Sequence, residues 1–256
     1  MTGKTILLII FIVILLVIVY SYILKDVNTL TNIVSGETMT KIDSTTLATN
    51  SSSSSNPSNF TYSVWFYIND WNYRYGEPKT IFGRMGSLST NGSGSVTGIN
   101  GLDPCPAVVL APVENNLMIS LGCFPGANQQ PTTTGGKTVV HTCAVANIPI
   151  QKWVNLLISV YGRTMDIYID GKLVKTCLLP GVASVNSTAP VFVTPAGGFS
   201  GWTSKLQYWP NSTDPQEAWN IYAKGYGASW LSNLFGQYKI QIALMKNGTE
   251  TSSVEI

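Results

Sequence analysis

The chain has 256 residues, of which 45% are hydrophobic and only 11% charged, with a formal net charge of +2. No lysine- and arginine-rich stripe occurs, so the electrostatic footprint of a nucleic-acid-binding protein is missing. Twelve Tyr and seven Trp beside 23 Gly and 13 Pro point to β-structure with many turns, because aromatic side chains suit a pleated face and Gly and Pro suit turns.

The first element is an uncharged apolar run that opens at Thr5, closes at Leu24 and is flanked by Lys4 and Lys25. A helix of about twenty such residues spans the hydrocarbon core of a bilayer. A cleaved signal peptide has a shorter core and a small-residue cleavage site. Here the run exits through Val19-Tyr20-Ser21-Tyr22-Ile23-Leu24 instead. The expectation is one uncleaved transmembrane anchor over residues 1–25, with the positive-inside bias only weakly favouring a cytoplasmic N-terminus. Residues 26–58 then read as a Ser/Thr/Asn-rich stalk. Val27, Leu30 and Val34 have helix-like spacing, but the tract from Asn50 through five serines to Asn56 and Pro57 behaves as a flexible linker. The folded domain is expected over residues 59–256.

Strand patterns follow at 60–68, 79–84, 107–111, 117–123, 138–145, 153–161, 165–170, 173–178, 191–194, 205–209 and 238–245. Turn signals separate them at Gly86, Asn115-Asn116, Gly162-Arg163 and Asp170-Gly171. The first strand is apolar or aromatic on both faces, as inside a stack of layers. One short helix is expected after Asp214-Pro215-Gln216-Glu217, which combines an N-cap acid with Pro at the first helical position. The fold class is therefore all-β, a two-sheet antiparallel sandwich with one short helix.

Three stretches match a known family. Ser63-Val64-Trp65-Phe66-Tyr67-Ile68 resembles the first core strand of concanavalin A-like lectin/glucanase domains of the laminin-G-like type. Trp153-Val154-Asn155-Leu156, followed by Tyr168-Ile169-Asp170-Gly171, resembles that family's central hairpin. Residues 201–209 with Glu217-Ala218-Trp219 resemble its closing strand and helix. The likeness covers about residues 59–227 and implies jelly-roll connections. Anchor, stalk and domain together resemble membrane-associated virion (minor capsid) proteins of large DNA viruses.

Chemistry is sparsely signalled. Glucanases of this fold carry an E-x-D-x-E strand; the nearest pattern here is Asp166-Ile167-Tyr168-Ile169-Asp170, whose acids lie too far apart along a strand to act as a retaining pair. His141 shares a strand face with Cys143, but Cys143 is better read as a disulfide partner than as a nucleophile. No catalytic residue, metal site or cofactor is expected, because neither zinc-type Cys/His clusters nor a calcium-type acidic loop is present. The even cysteine count suits disulfides, with free buried thiols as the alternative. Cys123 and Cys143 are expected to pair across a hairpin, leaving Cys105 with Cys177. Glycan-contact candidates are Asn69, Asp70, Trp71, Tyr73 and Tyr75, a loop mixing rings with polar groups. Sequons at Asn50, Asn59, Asn91, Asn186, Asn211 and Asn247 permit glycosylation. The expected role is a non-catalytic structural protein of a virion membrane, contacting capsid or other virion proteins. The alternative is a surface lectin binding host or cell-wall glycans.

Overall fold

The computed structural model describes residues 11–16, 28–49, 58–85, 89–90, 96–98, 103–132, 137–227, 241–246 and 249–255. The chain divides into two compact units, Thr29–Ala228 and the two chain ends. The larger unit contains β1 (Thr29–Thr31), β2 (Val34–Ser35), β3 (Thr40–Ile42), α1 (Ser44–Thr49), β4 (Phe60–Asp70), β5 (Lys79–Arg84), β6 (Ser89–Thr90), β7 (Val96–Gly98) and β8 (Ala107–Leu110). It continues through β9 (Leu117–Cys123), β10 (Val139–Val145), β11 (Trp153–Tyr161), β12 (Thr164–Ile169), β13 (Lys172–Leu178), β14 (Val191–Val193), β15 (Ser200–Trp209) and α2 (Pro215–Ala223).

Two antiparallel sheets form the body. The first runs β1-β15-β4-β11-β12-β13, with β2 also on β15; the second runs β10-β9-β8-β5-β14-β3. Side chains alternate along each strand, so Phe60, Tyr62, Val64, Phe66 and Ile68 of β4 enter the core with Val154, Leu156, Ile158 and Val160 of β11. From the second sheet Val108, Leu110, Leu117, Ile119, Leu121, Val191 and Val193 complete it. The opposite face of the first sheet is partly covered by α2, whose Ala218 and Ile221 pack on Leu157 and Tyr168. The same cover shields Trp65 of β4, whose ring stacks on Tyr222 of α2 with centres 5.5 Å apart. The helix starts where the sequence placed it: the Asp214 carboxylate accepts the Glu217 N–H at 2.8 Å, and Pro215 occupies the first turn. At its other end Lys205 Nζ donates to the Gly225 carbonyl at 2.8 Å, a cation at the negative pole of the helix.

The expected stalk is corrected over most of its length. Thr29 and Thr31 pair with Gln207 and Leu206, residues 40–42 pair with β14, and Ile42 and Leu47 are buried in the core. Strands of two or three residues carry too little periodicity to be read from sequence. The serine tract 50–57 lies outside the described residues.

The cysteine pairing is also corrected. In the β9–β10 hairpin Cys123 faces Val139, while Cys143 faces Ile119. Both cysteines are near the C-terminal ends of their strands, and antiparallel pairing puts those ends at opposite ends of the hairpin. Cys143 instead bonds to Cys177 of β13, and Cys105 and Cys123 are buried free thiols.

In the other unit, residues 11–16 are helical with exposed side chains, and β16 (Gln241–Lys246) pairs with β17 (Thr249–Glu255). The rest of the expected membrane span lies outside the described residues. Among the described residues no helix is long and apolar enough to cross a membrane.

Candidate functional site

A cleft of about 570 Å³ opens where the loops after β4, between β8 and β9, and between β10 and β11 meet. Clefts of this size take small-molecule or short oligomeric ligands. Its walls are Trp71, Val113, Glu114, Asn115, Asn116, Ala146, Asn147 and Ile150. Apolar surface comes from the Trp71 ring and from Val113 and Ile150, both of which are exposed.

Hydrogen bonds knit the three loops together. The Trp71 indole N–H donates to the Val113 carbonyl at 3.0 Å. Asn115 and Ile148 exchange two bonds: the Ile148 N–H donates to the Asn115 carbonyl at 2.9 Å, and Asn115 Nδ2 donates to the Ile148 carbonyl at 3.1 Å. Asn116 Nδ2 donates to Glu114 Oε2 at 2.6 Å, and the Asn147 N–H donates to Asn116 Oδ1 at 3.3 Å. These bonds fix the rim and still leave the side-chain oxygen of Asn115 and the side-chain amide of Asn147 able to meet a ligand. A rim ordered before binding lowers the entropic cost of capture.

Behind the rim, Lys79 is buried with its ammonium 4.6 Å from the centre of the Trp71 ring and without a hydrogen-bond partner among the described residues. Burial lowers its pKa from the ordinary value, and the nearby Arg74 charge acts in the same direction. The amine braces Trp71 through the ring's negative face.

Of the five glycan-contact candidates, only Trp71 reaches the cleft. Tyr73 donates its hydroxyl to the Gly197 carbonyl at 3.1 Å. Asp70 accepts the Asn72 N–H at 2.9 Å and so shapes the loop. Asn69 and Tyr75 are exposed outside the cleft lining. Between them, Arg74 binds Glu77 and the carbonyls of Ala196 and Gly198, which anchors the loop to the turn after β14. The asparagines at 115, 116 and 147 escaped the sequence reading. The first two looked like turn residues, and nothing local shows that Asn147 lies beside them.

The other candidates are committed to structure. Asp166 accepts the Thr176 hydroxyl at 2.5 Å. Asp170 accepts the Asn155 N–H at 2.9 Å and pairs with Lys152 at 3.3 Å. With φ of 50° at Asp170 and 72° at Gly171, those two residues form the tight turn between β12 and β13. His141 is half-buried opposite Leu121, and its neighbour Cys143 is in the disulfide. Burial pushes the Cys105 thiol up to about 12 and also raises Cys123, so neither is a thiolate near neutral pH. Among the described residues no group of three or more His, Cys, Asp and Glu could hold a metal ion. Of the sequons, Asn186 and Asn211 are exposed, and Asn59 uses its side-chain oxygen to accept the Gly162 N–H at 2.9 Å. Asn50, Asn91 and Asn247 lie outside the described residues.

No protein-family model matches the chain, and neither does any curated protein sequence. Solved structures do align with it. The receptor-binding domain of botulinum neurotoxin D aligns with a TM-score of 0.52 and 13% identity, over 79% of this chain and 46% of that one. The binding domain of botulinum neurotoxin DC in complex with rat synaptotagmin II aligns at 0.47 and 14% identity, over 75% and 41%. A botulinum neurotoxin type C structure, described as entering cells through two ganglioside molecules, aligns at 0.44 and 15%, over 64% and 35%. The chain thus spans less than half of each of these proteins, and at such identities the likeness is one of fold alone.

Proposed function

We propose that the domain is a non-catalytic, lectin-like binding module that holds a short glycan in the cleft beside Trp71. The carrying observation is the pairing of an indole ring with three asparagines and Glu114 on one hydrogen-bonded rim. A sugar presents an apolar C–H face and a belt of hydroxyls that both donate and accept. Trp71, Val113 and Ile150 suit the face, and the Asn115 oxygen and the Asn147 amide suit the belt. The neurotoxin D neighbour is itself a receptor-binding domain, which agrees with a binding role without specifying the ligand. The capsid-bridging role expected from the sequence has no comparable geometric support. The apolar run 5–24 would hold such a lectin on a membrane, facing a glycan-bearing surface.

A glycan array probed with the full chain in detergent tests this. Expected is specific binding that Trp71→Ala weakens about tenfold, equivalent to ~1.4 kcal/mol. Specific binding that is unchanged in Trp71→Ala, or no bound glycan at all, would overturn the cleft assignment.

A further inference from the structure

Strand register fixes the end of the sandwich at which the chain enters it. β1 and β2 run antiparallel to β15, from Thr29 opposite Gln207 to Ser35 opposite Trp202, so entry is at the end where β15 finishes. β4 starts and β11 finishes there too, because Thr61 faces Trp209 and Phe60 faces Val160. The cleft, beside the loop after β4, is at the other end.

Four large apolar side chains stand open at the entry end. Tyr161 closes β11 and is 66% exposed, and Leu178 closes β13 and is 69% exposed. Thr164 is the register partner of both. Direct cross-strand partners share a face, so the two side chains point to the same side. Phe124, 58% exposed, donates its N–H at 2.9 Å to the carbonyl of Val182, itself 38% exposed. The bridge from Cys123 to Ala183 ties that pair to the end of β9.

A single exposed apolar residue is ordinary. Here, however, residues 124–132 and 178–190 contain no Asp, Glu, Lys or Arg. Charges at this end, among them Arg163, Lys137 and Asp214, lie outside those segments, and Arg163 gives both Nε and Nη2 to the Leu179 carbonyl. The opposite end carries Asp70, Arg74, Glu77, Glu114, Lys152 and Asp170. Leu173 and Val174 are exposed as well, but they sit between Lys172 and Lys175.

The spacer before the domain is short. Residues 29–31 already form β1, so only Lys25 to Asn28 separate the apolar run 5–24 from the sandwich. From Leu24 to Thr29 an extended chain reaches roughly 17 Å. The described part of the run, residues 11–16, is helical, and all six of its side chains are apolar and exposed. A helix that is hydrophobic all round belongs in a core or in a membrane.

We propose that the entry end of the sandwich is a membrane-contact surface, resting on the same bilayer that holds the run 5–24. Phe124, Tyr161, Leu178 and Val182 dip into the boundary between headgroups and acyl chains, where aromatic and aliphatic side chains partition favourably. The headgroup layer is only about 5–7 Å thick on each side, so a spacer of that reach holds this end against it. The contact is apolar rather than ionic, so zwitterionic lipid suffices and added salt does not weaken it. The cleft then faces away from the bilayer. The proposal rests on the membrane reading of the run 5–24 and is independent of what the cleft binds.

The test is spin labelling of the full chain reconstituted in phosphatidylcholine vesicles, with the label at Ala127→Cys on the entry end or at Lys172→Cys near the other end. Both positions are exposed, whereas the native free thiols Cys105 and Cys123 are buried. A water-soluble nickel relaxation agent should reach the label at 127 severalfold less than the label at 172, with no change in high salt. Phe124→Ala/Leu178→Ala, two exposed sites, should make the two labels equally accessible without altering thermal stability or glycan-array binding. Equal accessibility in the wild type, or protection at 127 that survives the double variant, overturns the proposal. Protection that is also present in detergent, together with a dimer that the double variant abolishes, would assign the surface to a second copy and overturn it as well. Release of the chain from vesicles by alkaline carbonate would remove the membrane reading and this proposal with it, leaving the cleft reading standing.

Discussion

Cys143 and Cys177 join the two outermost strands on one side of the sandwich, β10 of the second sheet and β13 of the first, with their Cα atoms 6.5 Å apart. Beside them Lys175 Nζ donates to the Ala144 carbonyl at 2.7 Å, so the same two edges are tied twice. The bond closes a 34-residue separation, for which the chain-entropy model gives about 3–4 kcal/mol. Non-reducing peptide mapping should recover Cys143 linked to Cys177. The Cys143→Ser/Cys177→Ser variant should lose about that much stability in urea. A linked peptide between Cys123 and Cys143 would contradict the structure.

Leu47 separates a stalk from a folded segment. It is 2% exposed, on α1, within a region whose composition suggested a linker. Leu47→Ala should cost about 2–5 kcal/mol because the residue is part of the core. In a stalk the change would be silent. Denaturant unfolding of the wild type and the variant decides between the two.

Gly171 is held at φ +72°, and a Cβ there would come within 3.0 Å of both Trp219 and Tyr222 on α2. Gly171→Ala should therefore destabilise by about 1–2 kcal/mol from the backbone alone, with further loss from displaced aromatic packing. The same substitution at Gly162, also at positive φ but with nothing within 4 Å, should cost only the backbone part. Comparing the two in one unfolding series isolates the contact.

Asp214→Ala removes the only side-chain cap at the start of α2 and should cost about 1 kcal/mol. Asp214→Asn, which keeps the acceptor, should restore most of it. Urea midpoints of the three proteins supply the measurement.

The Cys105 thiol titrates at about 12 in the folded chain against an ordinary 9.0. The unfolded chain therefore releases this proton first as pH rises. Its contribution to stability is intact below pH 9 and is lost progressively between 9 and about 12. The stability difference between wild type and Cys105→Ala should shrink or reverse over that window, followed by thermal melts at stepped pH. Other groups titrate there too, and the difference between the two proteins cancels them.

Much of the architecture is local in origin and therefore legible in the sequence. The strands at 79–84, 117–123 and 153–161 match the structure residue for residue, because short strand-forming runs bounded by turn residues define their own limits. Helix α2 was equally readable, since Asp214 and Pro215 act within one turn of their own positions. What depended on distant pairing was not readable. The edge strands β1 to β3 exist only because β15 and β14 offer them partners. The disulfide depends on which strands end up at the sheet edges, and antiparallel direction, invisible in a list of cysteines, rules out Cys123 with Cys143. Trp71 was legible as a ring in a polar loop, and the structure half-buries it against the core. Its asparagine neighbours come from two other loops, and the cross-strand row of Trp202, Tyr67 and Trp153 arises from register, which aligns three strands far apart in the chain. Local preference decides which residues form a strand, whereas only burial of the whole core decides which strands lie side by side.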